Sequence, residues 1–555
     1  MRSEIREYNG TLRVFVDGEP LITNAYIVYH THKARYSDFA EMGYKLFSVP
    51  LIFSSKPFNE ISQAPCYSKA IFDNEVPDFA VVDEEIGRII DACPDALIFP
   101  RVNVSLPERW EIANTDELCD TGKAEIHRPS FSSDKWFEDT KVYLKTLIDY
   151  ISTKDYADHI IGYQLASGNT EEWFSFDLVG SIGKRSREKF VEYREKFGYE
   201  DTEADYYAFL SQIVADRICG LAKYTKEITN GELLVGTFYG YTFECPARTS
   251  CHHALKTVLE CPDIDFICSP VSYNANRALG RDHGCMLPCD SLRHHGKLYF
   301  AENDTRTHLA IPPYQHLEYF RNPVFNPKEF GEAVEAMKIH YARALVHGYA
   351  LWWFDMWGGW FADPTYKSML TSFLEITKQA DKKKMGSVSE LAVFIDEGAF
   401  KYPEGTSCGP GTAYLIREAL GKIGTPYDCF LATDFDAVKD NYKAYVLLEP
   451  CKTELSEYIK ADAAKTNKGC YVVDKETYRV SPEALRSFCK DNGIHLYCDR
   501  DAVVYVNDSY LFIHTCSEGK LEITMPEGKK LSPLFANLGE GAVYPEKYGC
   551  LFEII

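Results

Sequence analysis

The chain has 555 residues, 45% of them hydrophobic and 26% charged, an ordinary globular balance that argues against disorder. One core cannot hold that length, so two to four domains are expected. Lys and Arg number 60 against 82 Asp and Glu, a net charge of -22; such a surface repels phosphate backbones, which argues against nucleic acid as a partner and favours neutral or cationic ones.

The opening segment "MRSEIREYNGTLRVFVDGEP" lacks the apolar core of a secretory signal, and no run reaches the length of a membrane span. The 18 cysteines are scattered, with no CxxC pair. "CPARTSC" (Cys245, Cys251) and "CMLPC" (Cys285, Cys289) lack finger-type metal spacing. The expectation is a cytoplasmic protein with reduced, mostly buried thiols, no membrane partner, no metal ligands and no cofactor.

Along the chain, strand-like runs alternate with helix-like stretches. The runs are "PLITNAYIVYH" (20–30), "YKLFSVPLIF" (44–53), "DALIFPRVNV" (95–104), "HIIGYQLAS" (159–167), "ELLVGTFYGYTF" (232–243), "DIDFICSPVSY" (263–273), "KLYFAEND" (297–304) and "GYALWWFDMW" (348–357). Most are continuously apolar, as parallel strands buried on both faces are. Amphipathic stretches at 133–153, 203–229 and 327–348 repeat apolar residues at three- and four-residue steps. Eight such alternations predict an α/β fold, a (β/α)8 TIM barrel over 1–382 with a short N-terminal β segment. A doubly wound open sheet is the structural rival.

After the charged link "KQADKKKMGSVSE" (378–390) the alternation restarts. Short strands at 390–400, 426–433, 443–451 and 469–475, with helices at 411–424, 453–467 and 481–493, predict a flavodoxin-like α/β domain over 388–497. Within it, "CGPGTAY" (408–414) reads as a helix start rather than a phosphate loop. From 498 to 555 the period falls to two, with turns at Asn507-Asp508 and Glu518-Gly519, predicting a small antiparallel β domain.

Barrel enzymes carry their chemistry at the C-terminal ends of the strands. Those ends hold His30 and His32; Arg101 and Asn103; Asn169, Glu171, Glu172 and Trp173; Tyr239, Tyr241 and Glu244; Tyr273 and Asn274; Glu302, Asp304 and Arg306; and Asp355, Trp357 and Trp360. Acidic residues end the fourth and seventh strands, which face each other across an eight-strand ring. Four of the seven tryptophans fall within 352–360, and sugars stack their C–H faces on such rings. Trp352 and Trp353 alternate faces as core; Trp357 and Trp360, beside Gly358-Gly359, are the candidate platform.

Two carboxylates in an aromatic mouth suit glycoside cleavage, in which one carboxyl stays protonated for the leaving oxygen and the other is ionised at the anomeric carbon. Glu302 is expected to be ionised by the nearby Arg306, with Tyr273 as a hydrogen-bond donor. A glutamate beside Trp173 fits the acid; Glu172 is preferred to Glu171. Arg101, Asn103 and Asn169 are candidate sugar contacts, and loops 54–94 and 105–132 are expected to select the sugar. Two rivals stand beside this reading: a metal-dependent barrel hydrolase using His30, His32 and His308 with Asp304 or Asp355, and a non-catalytic sugar-binding protein.

A barrel with a strand-4 acid and a strand-7 carboxylate, followed by a flavodoxin-like and a small β domain, resembles clan A of the glycoside hydrolases and, within it, the family 42 β-galactosidases. The resemblance covers nearly the whole chain in architecture. It implies a retaining, exo-acting β-glycosidase that removes a terminal sugar such as β-galactose from short oligosaccharides, with β-mannose or β-glucose as alternatives. It further implies Glu302 as nucleophile and a homotrimer formed through the middle domain. In that family the strand-4 end usually reads Asn-Glu, the Asn touching the sugar 2-hydroxyl; here "GNTEEW" places Thr170 between Asn169 and Glu171. The cysteine metal cluster usual in the family is not evident in the spacing.

Overall fold

The computed structural model describes residues 1–57, 67–119, 128–175, 183–273, 277–311, 327–404, 416–477, 479–535 and 543–555. The "CGPGTAY" segment, Asn274 and parts of the two expected specificity loops lie outside the described residues.

The chain begins with an antiparallel sheet of β1 (Ser3–Tyr8), β2 (Thr11–Val16) and β3 (Glu19–Pro20). Its turns, Asn9-Gly10 and Asp17-Gly18, take positive φ at both residues (53° and 85°, 49° and 90°), the backbone that Asn-Gly and Asp-Gly supply in tight hairpins. Ser3 N–H donates to the Glu232 carbonyl and the Thr11 hydroxyl to that of Gly348. Both acceptors lie just ahead of barrel strands, so this sheet closes the N-terminal end of the barrel.

The barrel strands are β4 (Asn24–Ile27), β5 (Leu46–Ile52), β6 (Leu97–Asn103), β7 (Gly162–Ala166), β8 (Leu234–Phe238), β9 (Phe266–Pro270), β10 (Leu298–Asn303) and β11 (Ala350–Phe354). They pair in parallel and in chain order, and β11 returns to β4 to close the ring. All eight predicted runs are strands, and the ring is closed, so the open-sheet rival falls.

Side chains inside the barrel lie in layers, because residues two apart on a strand share a face. The lower layer is aromatic: Phe99 and Phe266 are 5.1 Å apart between ring centres, Phe266 and Phe300 5.1 Å, and Phe300 and Trp352 4.6 Å. Gly162 and Gly236 make room for it; a Cβ on Gly236 would lie 2.1 Å from the Phe266 ring and one on Gly162 2.4 Å from Phe99. Gly236→Ala is therefore expected to cost about 1–3 kcal/mol through overpacking, read as a lower urea midpoint with an unchanged slope. Trp353, one residue on, faces outward against Phe361 and Phe373.

A second sheet follows the barrel: β12 (Leu391–Ile395), β13 (Asp428–Leu431), β14 (Ala444–Leu448) and β15 (Gly469–Val473), all parallel in the order β13-β12-β14-β15. That is the start of a flavodoxin-like order. The last sheet is antiparallel, β16 (Ala502–Val506), β17 (Tyr510–Thr515), β19 (Gly549–Ile554) and β18 (Leu531–Pro533) in that order. Buried Asp282 ties the three parts together: Arg343 of the barrel donates to its Oδ1 at 2.6 Å, Tyr505 to its carbonyl at 2.6 Å and Tyr427 to its Oδ2 at 3.3 Å. Among the described residues no helix is long and apolar enough to cross a membrane.

Candidate active site

Above the aromatic layer the same strands turn polar. Arg101 lies two residues beyond Phe99, and Glu302 two beyond Phe300, on the same inner faces. Arg101 is fully buried. Its Nε donates to Gln164 Oε1 at 3.1 Å, its Nη1 to the Tyr29 hydroxyl at 3.2 Å and its Nη2 to Glu302 Oε2. Phe238 and Phe354 flank the guanidinium at 4.8 and 5.4 Å from their ring centres. Three of its five N–H groups are thus engaged by protein acceptors and the whole side chain is buried, so Arg101 holds Glu302 rather than presenting itself to a ligand.

Burial pushes the Glu302 carboxyl above its ordinary 4.5, and Arg101 pulls it back. The cation paired with Glu302 is therefore Arg101, not the expected Arg306. Arg306 stands four residues beyond Glu302, past the strand end, and lies 4.5 Å over the Trp357 ring.

The chain after β7 resolves how two consecutive glutamates serve one mouth. It folds back on itself: Trp173 N–H donates to the Ser167 carbonyl at 2.8 Å and Asn169 N–H to that of Phe174 at 3.0 Å. Gly168, Thr170, Glu171 and Trp173 take positive φ of 76°, 61°, 68° and 64°. Such a backbone costs on the order of 1–3 kcal/mol at each non-glycine residue, most for a β-branched one. At Gly168 no side chain fits, since a Cβ would sit 2.6 Å from the Phe174 carbonyl. Buried Trp173 anchors the turn, its Nε1 donating to the Leu165 carbonyl at 3.2 Å.

In an extended chain neighbouring side chains would point to opposite faces. Here the left-handed pair Thr170-Glu171 breaks that alternation, and both carboxyls reach inward. Glu171 is fully buried and accepts from Asn103 Nδ2 at 3.0 Å. Glu172 accepts from the Tyr241 hydroxyl at 2.9 Å and the Thr170 hydroxyl at 2.7 Å. Burial pushes the Glu172 carboxyl up to about 8, the two hydroxyls oppose the rise, and Glu302 and Asp304 add to it by repulsion. The mouth thus holds one carboxyl that is protonated at neutral pH and one paired with a guanidinium.

The remaining expected residues line this mouth unequally. Asn103 orients Glu171, and Asn169 is buried with its backbone in the turn. Tyr273 stacks under Arg277, 4.5 Å from ring centre to guanidinium, while Arg277 pairs with Asp304 at 2.7 Å. Trp357 and Trp360 pack edge to face at 5.4 Å; Trp360 is fully buried and Trp357 is 4% exposed. Asp355 accepts from Gly359 N–H at 2.9 Å, Trp360 N–H at 2.7 Å and the Tyr26 hydroxyl at 2.8 Å, so it shapes the tryptophan loop. Tyr29, Gln164 and Arg277 were missed in the sequence. The inward alternation Gly162-Gln164 and Phe99-Arg101 was the available signal for Gln164; Tyr29 and Arg277 had none.

The histidines of the mouth do not converge. His30 and His32 meet edge to face at 5.6 Å, and His308 shares a 2.7 Å hydrogen bond with Tyr366. Among the described residues, the group of side chains spaced to share a metal ion lies elsewhere.

No protein-family model matches the chain, and no curated protein matches it. Solved structures do. A β-galactosidase from Bacillus circulans sp. alkalophilus is similar with a TM-score of 0.62 at 11% identity, over 96% of this chain and 98% of that one. An exo-carrageenase, GH42, from Bacteroides ovatus gives 0.62 at 11%, over 100% of this chain and 84% of that one. A GH42 β-galactosidase from G. stearothermophilus gives 0.60 at 10%, over 96% and 98%. The likeness is one of fold: a barrel with further sheets and helices, shared along nearly the whole chain.

Proposed function

We propose that this chain is a retaining, exo-acting β-glycosidase with Glu302 as nucleophile and Glu172 as acid/base. The observation that carries the proposal is the contrast between the two carboxyls at the ends of β7 and β10. Glu172 is pushed up to about 8 and so keeps a proton to donate; Glu302 has Arg101 against it, which favours the anion.

In the reaction Glu302 attacks the anomeric carbon while Glu172 protonates the departing oxygen, leaving a glycosyl ester on Glu302. Glu172, now ionised, takes a proton from water as that water opens the ester. Asn103 and the strained turn hold Glu171 beside this axis. Trp357, covered by Arg306, and enclosed Trp360 are buried, so they brace the wall of the mouth rather than offer the sugar platform expected of them. Two proteins of similar fold are named β-galactosidases and one an exo-carrageenase, which favours a terminal β-galactose; β-mannose and β-glucose are the alternatives. Buried cysteines such as Cys93, Cys268, Cys289 and Cys489 are free thiols, the state a reducing cytoplasm maintains. A homotrimer through the α/β domain follows from the resemblance and is checked by light scattering.

The test is hydrolysis of nitrophenyl α- and β-glycosides, with the anomer of the first product read by proton NMR. Cleavage of one β-glycoside with the β-anomer released first is the expected result, unchanged by chelation. Release of the α-anomer first would overturn the nucleophile assignment, and loss of activity on chelation would favour the metal hydrolase. Inert glycosides that nevertheless bind would favour a sugar-binding protein.

A further inference from the structure

At the other end of the barrel, three side chains from two parts of the fold converge. The helix Cys289–His294 ends in His294, and His295 caps it. Asp434 closes the short 3-10 turn Ala432–Asp434 that follows β13. One ligand atom from each of His294, His295 and Asp434 lies within 4.8 Å of the others.

The arrangement is held from outside as well. His295 Nε2 and Asp434 Oδ1 are 2.9 Å apart. The Ser291 hydroxyl donates to the second Asp434 oxygen at 2.6 Å and accepts from Leu431 N–H at 2.7 Å, which fixes the plane of the carboxylate. The two imidazole rings stand at 85° with centres 5.2 Å apart. Asp434 is buried, His295 half-buried and His294 exposed, so the group opens to solvent on one side.

We infer that His294, His295 and Asp434 form a binding site for a borderline divalent cation such as Zn2+, which clips the α/β domain to the barrel. Two imidazole nitrogens and one carboxylate oxygen suit Zn2+, Co2+ or Ni2+; Ca2+ and Mg2+ prefer oxygen alone. Tetrahedral bonds of ~2.0 Å place ligand atoms about 3.3 Å apart, so small side-chain shifts close the set and water completes it. Ser291 is the outer partner that orients the ligating carboxylate.

The position sets the role. Helix Cys289–His294 precedes β10 and therefore sits at the N-terminal end of the barrel, whereas Glu302 is at the C-terminal end of the same strand. Residues at that lower face serve stability. The ion would stabilise the folded chain by binding it in preference to the unfolded one, without touching the carboxylates of the mouth. This inference stands whether or not the chain cleaves glycosides.

The test uses the full chain stripped with a chelator and then titrated with ZnCl2 in a calorimeter, with thermal unfolding followed in parallel. Expected are one ion bound per chain and a rise of about 2 °C or more in the first transition, both lost in His294→Ala, a change at an exposed position that leaves the fold intact. Co2+ is expected to give the visible spectrum of nitrogen and oxygen ligation. Absence of binding and of a thermal shift in the wild type would overturn the inference. So would equal Zn2+ binding by His294→Ala, which would place the ion elsewhere, or a cobalt–thiolate band, which would place it on cysteines.

Discussion

Glu302→Gln is expected to lower kcat/KM on the best nitrophenyl glycoside by roughly 10⁴-fold or more, since an amide oxygen neither attacks the anomeric carbon nor leaves it again. That loss corresponds to about 5 kcal/mol of transition-state stabilisation. The choice of Gln over Ala matters because of Arg101. Its guanidinium is fully buried and donates to Glu302; removing the acceptor strands a buried charge, at a cost of about 3–5 kcal/mol in stability. Gln keeps an oxygen for Arg101, so Glu302→Gln should fold and fail to turn over, whereas Glu302→Ala should lose both activity and stability. Azide supplies the missing nucleophile to the Ala variant: with a β-glycoside substrate, the product expected is the α-glycosyl azide. Retention of more than a tenth of wild-type activity in Glu302→Gln would remove Glu302 from the role of nucleophile.

The parts of this design that were readable in the sequence are those written in local pattern. Parallel strands buried on both faces read as apolar runs, and all eight barrel strands announce themselves that way, as do β12 to β15 of the second sheet. Glu302 was readable for the same reason, being the first charge after Leu298-Tyr299-Phe300-Ala301. Its cation was not. Arg306 is near in sequence, but Arg101 arrives from β6, four strands away in the ring, and only barrel closure sets which inward-facing residues share a layer. The glutamate pair was legible as a pair and ambiguous as to role, because the alternation rule sends neighbours to opposite faces. What overrides that rule is the positive φ of Thr170 and Glu171, a conformation these residue types rarely take and no local pattern forecasts. The tryptophan loop divides likewise: its four rings were plain in the sequence, but the enclosure of Trp360 depends on Asp355 gathering the Gly359 and Trp360 amides.

Glu172→Gln is expected to cost about 10²–10⁴ in kcat/KM on substrates with poor leaving groups, the range a positioned general acid supplies. On dinitrophenyl glycosides, whose leaving group needs little protonation, the loss should shrink for the first step and reappear in the second, where Glu172 acts as base. Azide should restore turnover here with the β-glycosyl azide as product, opposite in configuration to that from Glu302→Ala. Glu171→Gln is expected to lose far less, since Glu171 holds Asn103 and its amide can do the same. The pH profile separates the two independently. Activity needs Glu172 protonated and Glu302 ionised, so kcat/KM in the wild type should fall on the alkaline side near pH 8 and on the acid side above the ordinary glutamate range, as two apparent values of a coupled pair. Tyr241→Phe removes a hydrogen bond that favours the ionised form of Glu172, so its alkaline limb should move to higher pH. In Glu172→Gln that limb should vanish. Stability should move the opposite way. The unfolded chain releases the Glu172 proton near 4.5 while the folded chain keeps it to about 8, so the native state binds more protons across that interval and its stability falls as pH rises through it. An amide carries no such penalty, and Glu172→Gln should be more stable than the wild type at pH 7, by about 3 kcal/mol. A variant that gains stability and loses turnover marks Glu172 as a group held against its solution preference for the sake of the reaction; a variant that loses both, while Glu171→Gln is the one crippled at the first step, transfers the acid to Glu171.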